Sequence, residues 1–261
     1  MAGLSRYVSV LRLFDEKHSE WTVPEMAAAL DVPASTVYRT VREMVASEFL
    51  ETATEARYRL GACFVEFDRL ARVTDPIYRV GTSLLRDIVS QARLPCVAVL
   101  ARLYDDRVMC IADWQSAEND VHTSYERGRP RPLTRGATSK VILAHLPSRR
   151  LVKLLENTPP EAAPLTRNMS RFREELAAIR KRGYAITHGE VDKKVVGIAA
   201  PVAVPERGLM GSVSLVLPSE IFDETLERRL VLLVLSTATL LTQELAAQSH
   251  PSAKRAQGGR R

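Results

Sequence analysis

The chain has 261 residues, of which 46% are hydrophobic and 26% charged, with a formal net charge of +6 from 37 basic and 31 acidic side chains. This composition predicts one large or two smaller folded domains, and it excludes a fibrous or largely disordered chain. A basic balance favours a nucleic-acid partner. The charge is unevenly spread, however: residues 1–60 carry seven basic and nine acidic side chains, a net charge of −2, whereas residues 254–261 alone carry four basic ones.

Cysteine usage and hydropathy predict a reduced, cytoplasmic protein. Cys63, Cys96 and Cys110 are odd in number and show no CxxC spacing, so neither a disulfide framework nor a zinc ribbon is expected. The N-terminus lacks the continuous apolar stretch of a signal peptide. The longest apolar-rich run, residues 230–241, is shorter than the ~18–20 residues that span a bilayer, so no membrane anchor is expected.

Three helices are predicted in the first fifty residues. Apolar side chains at helical spacing over residues 5–17 indicate an amphipathic first helix. Thr22 and Glu25 form a capping-box pair, which marks the start of a short second helix. Pro33 disfavours helix in the residue before it but suits a first helical turn, so a third helix is expected from Ala34 to Ser47.

A hairpin is predicted after the third helix. Two β-prone runs, Phe49–Thr52 and Arg57–Leu60, are separated by four residues, as in a hairpin with a short loop. The short second helix, the tight turn and the two-stranded wing together predict a winged helix-turn-helix, whose third helix enters the major groove of DNA. The alternative is a small helical domain without a DNA partner.

The surface of the third helix supplies the side chains that a DNA contact needs. Short hydroxyls near the helix N-terminus reach base edges and phosphates, longer cations reach guanine or the backbone, and an arginine beside the wing turn can enter the minor groove. The predicted DNA contacts are Ser35, Thr36, Tyr38, Arg39, Thr40, Arg42 and Arg57. The alternatives are a helix-capping role for Ser35 and a solvated face on which the helix arginines pair with Glu43.

The remainder of the chain alternates helix-prone and strand-prone segments. A linker helix is predicted at Cys63–Arg72. Beyond it, helices are predicted over residues 77–92, 138–145, 149–155, 169–182 and 221–248, and strands over 96–103, 107–113, 121–125, 184–188, 195–204 and 211–217. A mixed sheet flanked by helices makes this an α+β sensor-like domain. The predicted boundaries are 1–61 for the DNA-binding domain, 62–75 for the linker helix, 76–248 for the sensor domain and 249–261 for a disordered basic tail.

Four stretches, in this order, resemble the IclR family of bacterial transcriptional regulators. They are Leu30–Arg39 (LDVPASTVYR), Tyr58–Gly61 (YRLG), Gly136–Ala144 (GATSKVILA), and the segment from Arg182-Gly183-Tyr184 through Glu190 to Ala199-Ala200-Pro201-Val202. The resemblance covers about residues 4–247. It implies a winged helix-turn-helix, a linker helix and a C-terminal GAF-like mixed α/β domain that binds a small organic acid or aromatic metabolite, in a chain that forms a homodimer or a dimer of dimers.

A pocket for a small carboxylate is predicted at Gly136–Ser139, because backbone N–H groups at a helix N-terminus together with hydroxyls favour an anion. By resemblance to family pockets, the effector site is expected to include Ala137, Thr138, Ser139, Gly197, Ser214, Val216 and one of Thr187 and His188. Helix capping is the alternative role for Thr138 and Ser139. Lys140 is expected to pair with the ligand or with an acidic neighbour such as Glu190. The chain departs from the family at Ser139 and at Lys193-Lys194, where the family usually has glycine.

Sequence signals for catalysis or metal binding are weak. Ser139-Lys140 lacks the S-x-x-K spacing, and the preceding loop lacks the second glycine of a phosphate-binding loop. Buried core cysteines are favoured for Cys96 and Cys110 over a metal cluster with His122. No cofactor, metal site or catalytic residue is predicted. The sequence therefore favours a regulator of double-stranded operator DNA over a small-molecule-converting enzyme or a dimerisation scaffold.

Overall fold

The computed structural model describes residues 3–117, 121, 123–158, 163 and 168–248. The chain divides into two compact units, the first ending at Thr74 and the second beginning at Asp75. The predicted tail, residues 249–261, and His122 of the metal cluster that the sequence raised lie outside the described residues.

The first unit packs helices against a three-stranded sheet. Its helices are α1 (Leu4–Leu11), α2 (Val23–Leu30), α3 (Ala34–Ala46) and α4 (Cys63–Thr74). Its strands β1 (Trp21–Thr22), β2 (Leu50–Thr52) and β3 (Arg57–Leu60) pair antiparallel in the order β1-β3-β2. The core side chains include Val10, Met26, Val37, Val41, Met44 and Leu50. The predicted winged helix-turn-helix fold is confirmed.

Local hydrogen bonds set the helix ends in this unit. The predicted capping box is present, because Glu25 Oε2 accepts from the Thr22 amide at 2.7 Å and the Glu25 amide donates to Thr22 Oγ1 at 3.4 Å. The helix predicted over residues 5–17 ends earlier, at Leu11. Beyond it, the Asp15 carboxylate accepts from the amides two and three residues ahead, both at 2.8 Å. Such a turn offers the backbone an alternative to the helix.

The helix predicted as a linker, α4, is part of the first unit. The Cys63 amide donates to the Glu48 carbonyl at 3.3 Å, and the rings of Phe49 and Phe64 meet edge to face with centroids 5.8 Å apart. Gly61 allows the chain to pass from β3 into α4, since an added Cβ would overlap the Glu48 carbonyl oxygen.

The second unit is a six-stranded sheet between two layers of helices. Its helices are α5 (Pro76–Ala92), α6 (Ala137–Ala144), α7 (Ser148–Glu156), α8 (Met169–Arg182) and α9 (Glu224–Ala247). Its strands are β4 (Val97–Tyr104), β5 (Arg107–Gln115), β6 (Pro130–Pro132), β7 (Ala185–His188), β8 (Val195–Val204) and β9 (Leu209–Pro218), in the order β6-β5-β4-β9-β8-β7. The predicted α+β class is confirmed, but neighbouring strands pair antiparallel, in contrast to the mixed sheet predicted.

Alternating side chains of the central strands divide the core between the two faces of the sheet. On β4, Ala98 and Leu100 pack with residues of α5 and α9, whereas Val97, Val99 and Ala101 pack with residues of α6 and α8. All five are nearly fully buried. Burial of both faces at period two is expected of a central strand covered on each side. The packing of Val97, Val99 and Ala101 holds α6 against the middle of the sheet.

The strands of this unit differ from the predicted ones in two places. The described residues of the strand predicted over 121–125, namely 121 and 123–125, are not in a strand. Pro130–Pro132, which none of the predicted strands covers, form the edge strand β6 opposite Arg107–Met109. A proline cannot donate to a ladder, so a strand with two prolines is tolerated at an edge.

By length and composition α9, with 24 residues, is apolar enough to cross a membrane, although the apolar run of residues 230–241 alone is too short. Leu230, Val234 and Leu241 of this helix are fully buried in the core against the sheet. The core helix of a folded protein passes the same test of length and composition. The packing of α9 is that of a core helix.

Candidate nucleic-acid interface and candidate ligand pocket

Helix α3 has one buried face and one accessible face. Val37, Val41 and Met44 are buried in the core of the first unit. Four of the predicted DNA residues are exposed and Thr36 is half-buried; the exposed four are Ser35, Tyr38, Arg39 and Arg42. Their spacing of three and four residues places them on one side of the helix. The helix has no side-chain cap, so the alternative role of Ser35 as a cap does not apply.

Glu43, the acid on α3, makes its direct contacts with residues of α1. The Tyr7 hydroxyl donates to Glu43, and Arg6 forms an ion pair with Glu43 at 3.2 Å. The Tyr7 hydrogen bond is the largest cause that holds the pKa of Glu43 below its ordinary value. Within the described part of the chain, Arg39 and Arg42 form no ion pair, although the charges of both also help to lower the pKa of Glu43. The alternative in which the helix arginines pair with Glu43 is therefore not found.

Thr40 and Arg57 are held in internal contacts. Thr40 is fully buried, and its hydroxyl donates to the Thr36 carbonyl at 2.9 Å. Arg57 on β3 forms an ion pair with Glu25 at 3.3 Å and donates to the Glu20 carbonyl at 3.3 Å. Thr40 leaves the set of candidate DNA contacts because it faces the core. Arg57 would have to exchange its pair with Glu25 to reach a groove.

The N-terminus of α6 forms the candidate ligand pocket. Gly136 precedes the helix at φ +80° and ψ +151°, a conformation that is essentially restricted to glycine. Its amide donates to Glu190 Oε2 at 2.9 Å, and the Ala137 amide donates to Thr187 Oγ1 at 3.0 Å. Two donors expected to hold a ligand anion are therefore satisfied by the chain itself, one of them by a carboxylate.

The hydroxyls at the start of α6 bond to β9 and to Tyr125. Thr138 Oγ1 lies 2.9 Å from Ser214 Oγ, and Ser139 Oγ lies 3.0 Å from Tyr125 Oη. All four residues are buried, and burial raises the pKa of the Tyr125 phenol. No side chain caps α6, so Thr138 and Ser139 join the helix to its surroundings.

Lys140 is a buried cation beside the pocket. Its side chain is 4% exposed, and Nζ lies 2.6 Å from Glu190 Oε1 and 2.7 Å from Glu175 Oε1. The predicted pairing of Lys140 with Glu190 is confirmed. A buried ammonium is tolerated only when its charge and its donors are matched. Because Glu190 also accepts from the Gly136 amide, this carboxylate bridges the buried cation and the helix N-terminus.

A cavity of ≈ 20 Å³ lies between α6 and the strands β7, β8 and β9. Five of the predicted ligand-site residues line it: Ala137, Thr138, Thr187, Gly197 and Val216. The other three do not line it. Ser139 and Ser214 lie in the hydrogen bonds described above, and His188 is exposed, with its ring 5.7 Å from that of Phe222. Of the pair left open by the sequence, Thr187 therefore faces the cavity.

Sequence reasoning missed the loop residues that close the cavity. They are Thr123, Tyr125, Gly189, Val191 and Asp192, beside Glu190. The Asp192 carboxylate accepts from the Ser124 amide at 2.8 Å and from the Ser124 hydroxyl. The feature of the sequence that could have revealed this loop is the pair of acids, Glu190 and Asp192, between two predicted strands.

Two other cavities lie nearby. One of ≈ 230 Å³ is lined by Arg131, Pro132, Arg135, Glu190 and Val191, and so shares its last two residues with the pocket. The other, of ≈ 500 Å³, contains none of the predicted ligand-site residues and extends to Thr158, beyond which the described chain is interrupted. The pocket at α6 is smaller, but polar groups converge there, and ligand specificity depends on such groups.

The cysteines are buried and free. Burial raises the pKa of Cys96 to about 11 and that of Cys110 to about 12, and it also raises the pKa of Cys63. Cys96 and Cys110 belong to the cores on opposite faces of the sheet. No group of three His, Cys, Asp or Glu side chains among the described residues is placed to hold a metal ion.

Comparison with known proteins identifies both units. The model of the IclR helix-turn-helix domain matches residues 3–53, and that of the bacterial transcriptional regulator IclR C-terminal domain matches residues 76–242. A probable HTH-type transcriptional regulator, ArcR, from Halobacterium salinarum is 28% identical over 213 residues, which are 78% of each chain. The HTH-type transcriptional regulator KipR from Bacillus subtilis is 23% identical, over 80% of this chain and 82% of KipR.

The fold also has solved relatives. An IclR homologue from Microbacterium hydrocarbonoxydans, solved in complex with 4-hydroxybenzoate, superposes with a TM-score of 0.75 over 94% of this chain and 99% of its own, at 22% identity. At this identity the likeness supports the fold alone.

Proposed function

The chain belongs to the IclR family of bacterial transcriptional regulators, which bind DNA, and we propose that a small organic acid or aromatic metabolite bound in the second unit controls its binding to operator DNA. The observation that carries the proposal is the convergence of buried amides, hydroxyls and a lysine at the N-terminus of α6. The matched domains and relatives are regulators and not enzymes, so no catalytic activity is assigned. A regulator of operator DNA works in the cytoplasm.

The proposed DNA contacts lie on the accessible face of α3: Ser35, Thr36, Tyr38, Arg39 and Arg42. Arg39 is exposed near the middle of that face and is the candidate for reading a base, since arginine is the commonest reader of guanine. Arg42, one turn nearer the C-terminus of the helix, is the candidate for a phosphate.

Substitution of Arg39 tests this assignment. A high-affinity duplex is first selected from a random pool with the full chain, and fluorescence anisotropy then compares it with a scrambled duplex. Arg39→Ala should lose about 1–3 kcal/mol of preference for the selected duplex, the value of one bidentate base contact. Arg12→Ala is the matched control, because it removes an exposed arginine of the same unit outside α3. Equal preference in Arg39→Ala and in the control would contradict the assignment.

The proposed effector site contains Ala137, Thr138, Thr187, Gly197 and Val216 at the cavity wall, with Ser139 and Ser214 behind it. Its donors suit a carboxylate, and Val216 and Ala137 suit an apolar or aromatic body. The complex of the Microbacterium homologue with 4-hydroxybenzoate supports this class of ligand.

A screen of small acids tests the effector site. Organic acids that bind the native chain raise its melting temperature, and those that do so should change its affinity for the selected duplex. Gly197→Ala should abolish this response while DNA binding persists, because the new methyl enters the small cavity at ordinary contact distance, 3.5 Å from Thr187 Oγ1. Gly208→Ala controls for a general loss of stability, because nothing lies within 4 Å of an added Cβ but φ is +59°. Acids that bind tightly but leave duplex affinity unchanged would refute effector control.

Effector control requires a second conformation. A ligand that binds two DNA-binding geometries equally shifts nothing, so the effector must prefer one of them. We infer that occupancy is transmitted through α4 to the spacing of paired recognition helices in a dimer.

A homodimer is part of this proposal. Four apolar side chains of α4 are between 40% and 75% exposed: Val65, Phe67, Leu70 and Val73. Three of them, Phe67, Leu70 and Val73, lie three residues apart and form an apolar ridge along α4. Such a ridge favours a protein partner, and a second copy of α4 is the partner proposed. Leu70→Asp should shift the sedimentation coefficient of the chain towards that of a monomer, whereas Val152→Asp, at a 39% exposed residue of α7, should not. A monomeric wild-type chain would refute the dimer, and a dimer of dimers would appear in the same experiment as a second, faster boundary.

A further inference from the structure

The loop between β7 and β8, residues Gly189–Lys194, forms the outer wall of the candidate pocket, and we call it the strap. Gly189, Glu190, Val191 and Asp192 all line the cavity of ≈ 20 Å³. Such a volume holds about one water molecule. Pockets for small ligands occupy about 300–1,000 Å³. A metabolite therefore fits only if part of this wall moves.

Side-chain contacts hold the strap against α6 and against the loop that contains Ser124. Glu190 accepts from the Gly136 amide at 2.9 Å and from Lys140 Nζ at 2.6 Å. Asp192 accepts from the Ser124 amide at 2.8 Å. Between these two acids, Val191 lies so close to Gly136 that an alanine Cβ there would be 2.7 Å from Val191 Cγ2. The strap is thus closed by two carboxylates and one apolar contact.

The strap begins and ends at residues in the left-handed backbone conformation. Gly189 lies at φ +61° and Lys194 at φ +60°, and both are anchored to neighbouring backbone. The Gly189 amide donates to the Val195 carbonyl at 2.9 Å, and the Ser219 amide donates to the Lys194 carbonyl at 2.9 Å. Because hinge residues at element ends absorb backbone rotation, the strap can swing while the ladder of β7 and β8 stays intact.

A second cavity lies on the other side of the same wall. It measures ≈ 230 Å³ and shares Glu190 and Val191 with the pocket. Arg131 and Arg135 also line it, and the buried Nε of Arg131 has no hydrogen-bond partner among the described residues. Withdrawal of two side chains would therefore join the two spaces, with an unsatisfied guanidinium donor at the junction.

We propose that the strap closes the effector pocket and that the Glu190 carboxylate occupies the place taken by the effector's carboxylate when the strap opens. The bridge between the Gly136 amide and the Lys140 ammonium is a site that any small carboxylate can fill, since a helix N-terminus and a cation both favour an anion. The effector then competes with an acid of the chain itself, so that neutral ligands of the same shape are rejected. The inference rests on the proposed function, because it requires an acidic effector.

Acetate rescue tests the competition. Glu190→Ala removes the equivalent of one acetate ion from the bridge. Glu175→Ala is the matched control, because Glu175 pairs with the same Lys140 nitrogen but neither bonds Gly136 nor lines the pocket. Acetate at about ten times its dissociation constant should raise the melting temperature of Glu190→Ala by about 3–5 °C relative to equal chloride. Acetate should leave the wild type and Glu175→Ala unchanged.

Equal acetate effects on all three chains, or none on any of them, would overturn the inference. If Glu190→Ala does not fold, Glu190→Gln and Glu175→Gln provide the second comparison by hydrogen exchange. The strap amides and the Gly136 amide should then exchange about tenfold faster in Glu190→Gln than in Glu175→Gln. Equal exchange would overturn the inference as well. The proposed function fails separately, if no acid in the screen changes operator binding.

Discussion

Replacement of Gly136 by alanine should destabilise the second unit by about 3 kcal/mol. The backbone there lies at φ +80° and ψ +151°, which costs a non-glycine residue about 1–3 kcal/mol. The new Cβ would lie 2.7 Å from both Tyr125 Oη and Val191 Cγ2. Overpacking of this kind costs about 1–3 kcal/mol, towards the lower end here because both neighbouring atoms are side-chain ends that can shift.

Urea unfolding measures this loss in the second unit alone. Trp21 and Trp114 are the two tryptophans of the chain and lie in different units, so a Trp21→Phe background reports on Trp114. Gly128→Ala is the control, because Gly128 has φ +83° but nothing within 4 Å of an added Cβ. It should lose about 1–2 kcal/mol, the conformational cost without the overlap. Equal losses in the two variants would refute the close packing of Tyr125 and Val191 on Gly136.

Three further predictions follow from pKa values and backbone geometry. Because burial raises the thiol pKa of Cys96 to about 11 and that of Cys110 to about 12, Ellman's reagent at pH 8 should label these two cysteines only on unfolding. Prompt labelling of more than one thiol in the native chain would contradict this burial. Hydrogen bonds lower the pKa of Glu25 and Glu43, so both stabilise the first unit above their unfolded pKa and lose that effect as the pH falls through the folded value. In Glu25→Gln/Glu43→Gln the free energy of unfolding of the first unit should therefore fall less steeply as the pH is lowered. Trp21 fluorescence in a Trp114→Phe background follows this unfolding, and an unchanged pH dependence would contradict the prediction. Lys194→Gly should leave the free energy of unfolding unchanged or raise it by up to about 1 kcal/mol, because φ at Lys194 is +60°. The control Lys193→Gly should lower it, and equal losses in urea unfolding would contradict the left-handed conformation of Lys194.

Elements with strong local signals were predictable to the residue. The helix predicted over 169–182 is α8, and Gly183 caps it in the left-handed conformation, as a C-terminal glycine predicts. The strand predicted over 195–204 is β8. The misses depend on distant partners. β1 has only two residues and exists because Trp21 pairs with Tyr58, which no local pattern reveals.

The candidate ligand site divides in the same way. Thr187 and Gly197 face the cavity because they pair across β7 and β8 near the start of α6, and strand periodicity is readable from sequence. Tyr125 and Asp192 lie in loops that fold over α6. Tyr125 bonds Ser139, which is 14 residues away in the sequence, and Asp192 bonds Ser124, which is 68 residues away. Their positions depend on tertiary contacts, and a single sequence carries no signal of such contacts.

The net charge of residues 1–60 does not describe the surface that α3 presents. Three acids of this region are in ion pairs: Glu25 with Arg57, Glu43 with Arg6, and Glu51 with Arg59. Arg39 and Arg42 have no such partner among the described residues. Only charges that face DNA release counterions, so a net charge of −2 is compatible with binding.

This distribution predicts the salt dependence of binding. Each neutralised phosphate contributes about −0.9 to the slope of log K against log salt concentration. A dimer that uses Arg39 and Arg42 of both recognition helices should therefore show a slope of about −4 when the chain is truncated after Gln248. The full chain should show a steeper slope with the same sequence preference, since residues 254–261 add four basic side chains. Anisotropy between about 50 and 200 mM salt measures both slopes, and a slope near about −10 for the truncated chain would show that cations outside α3 dominate the contact.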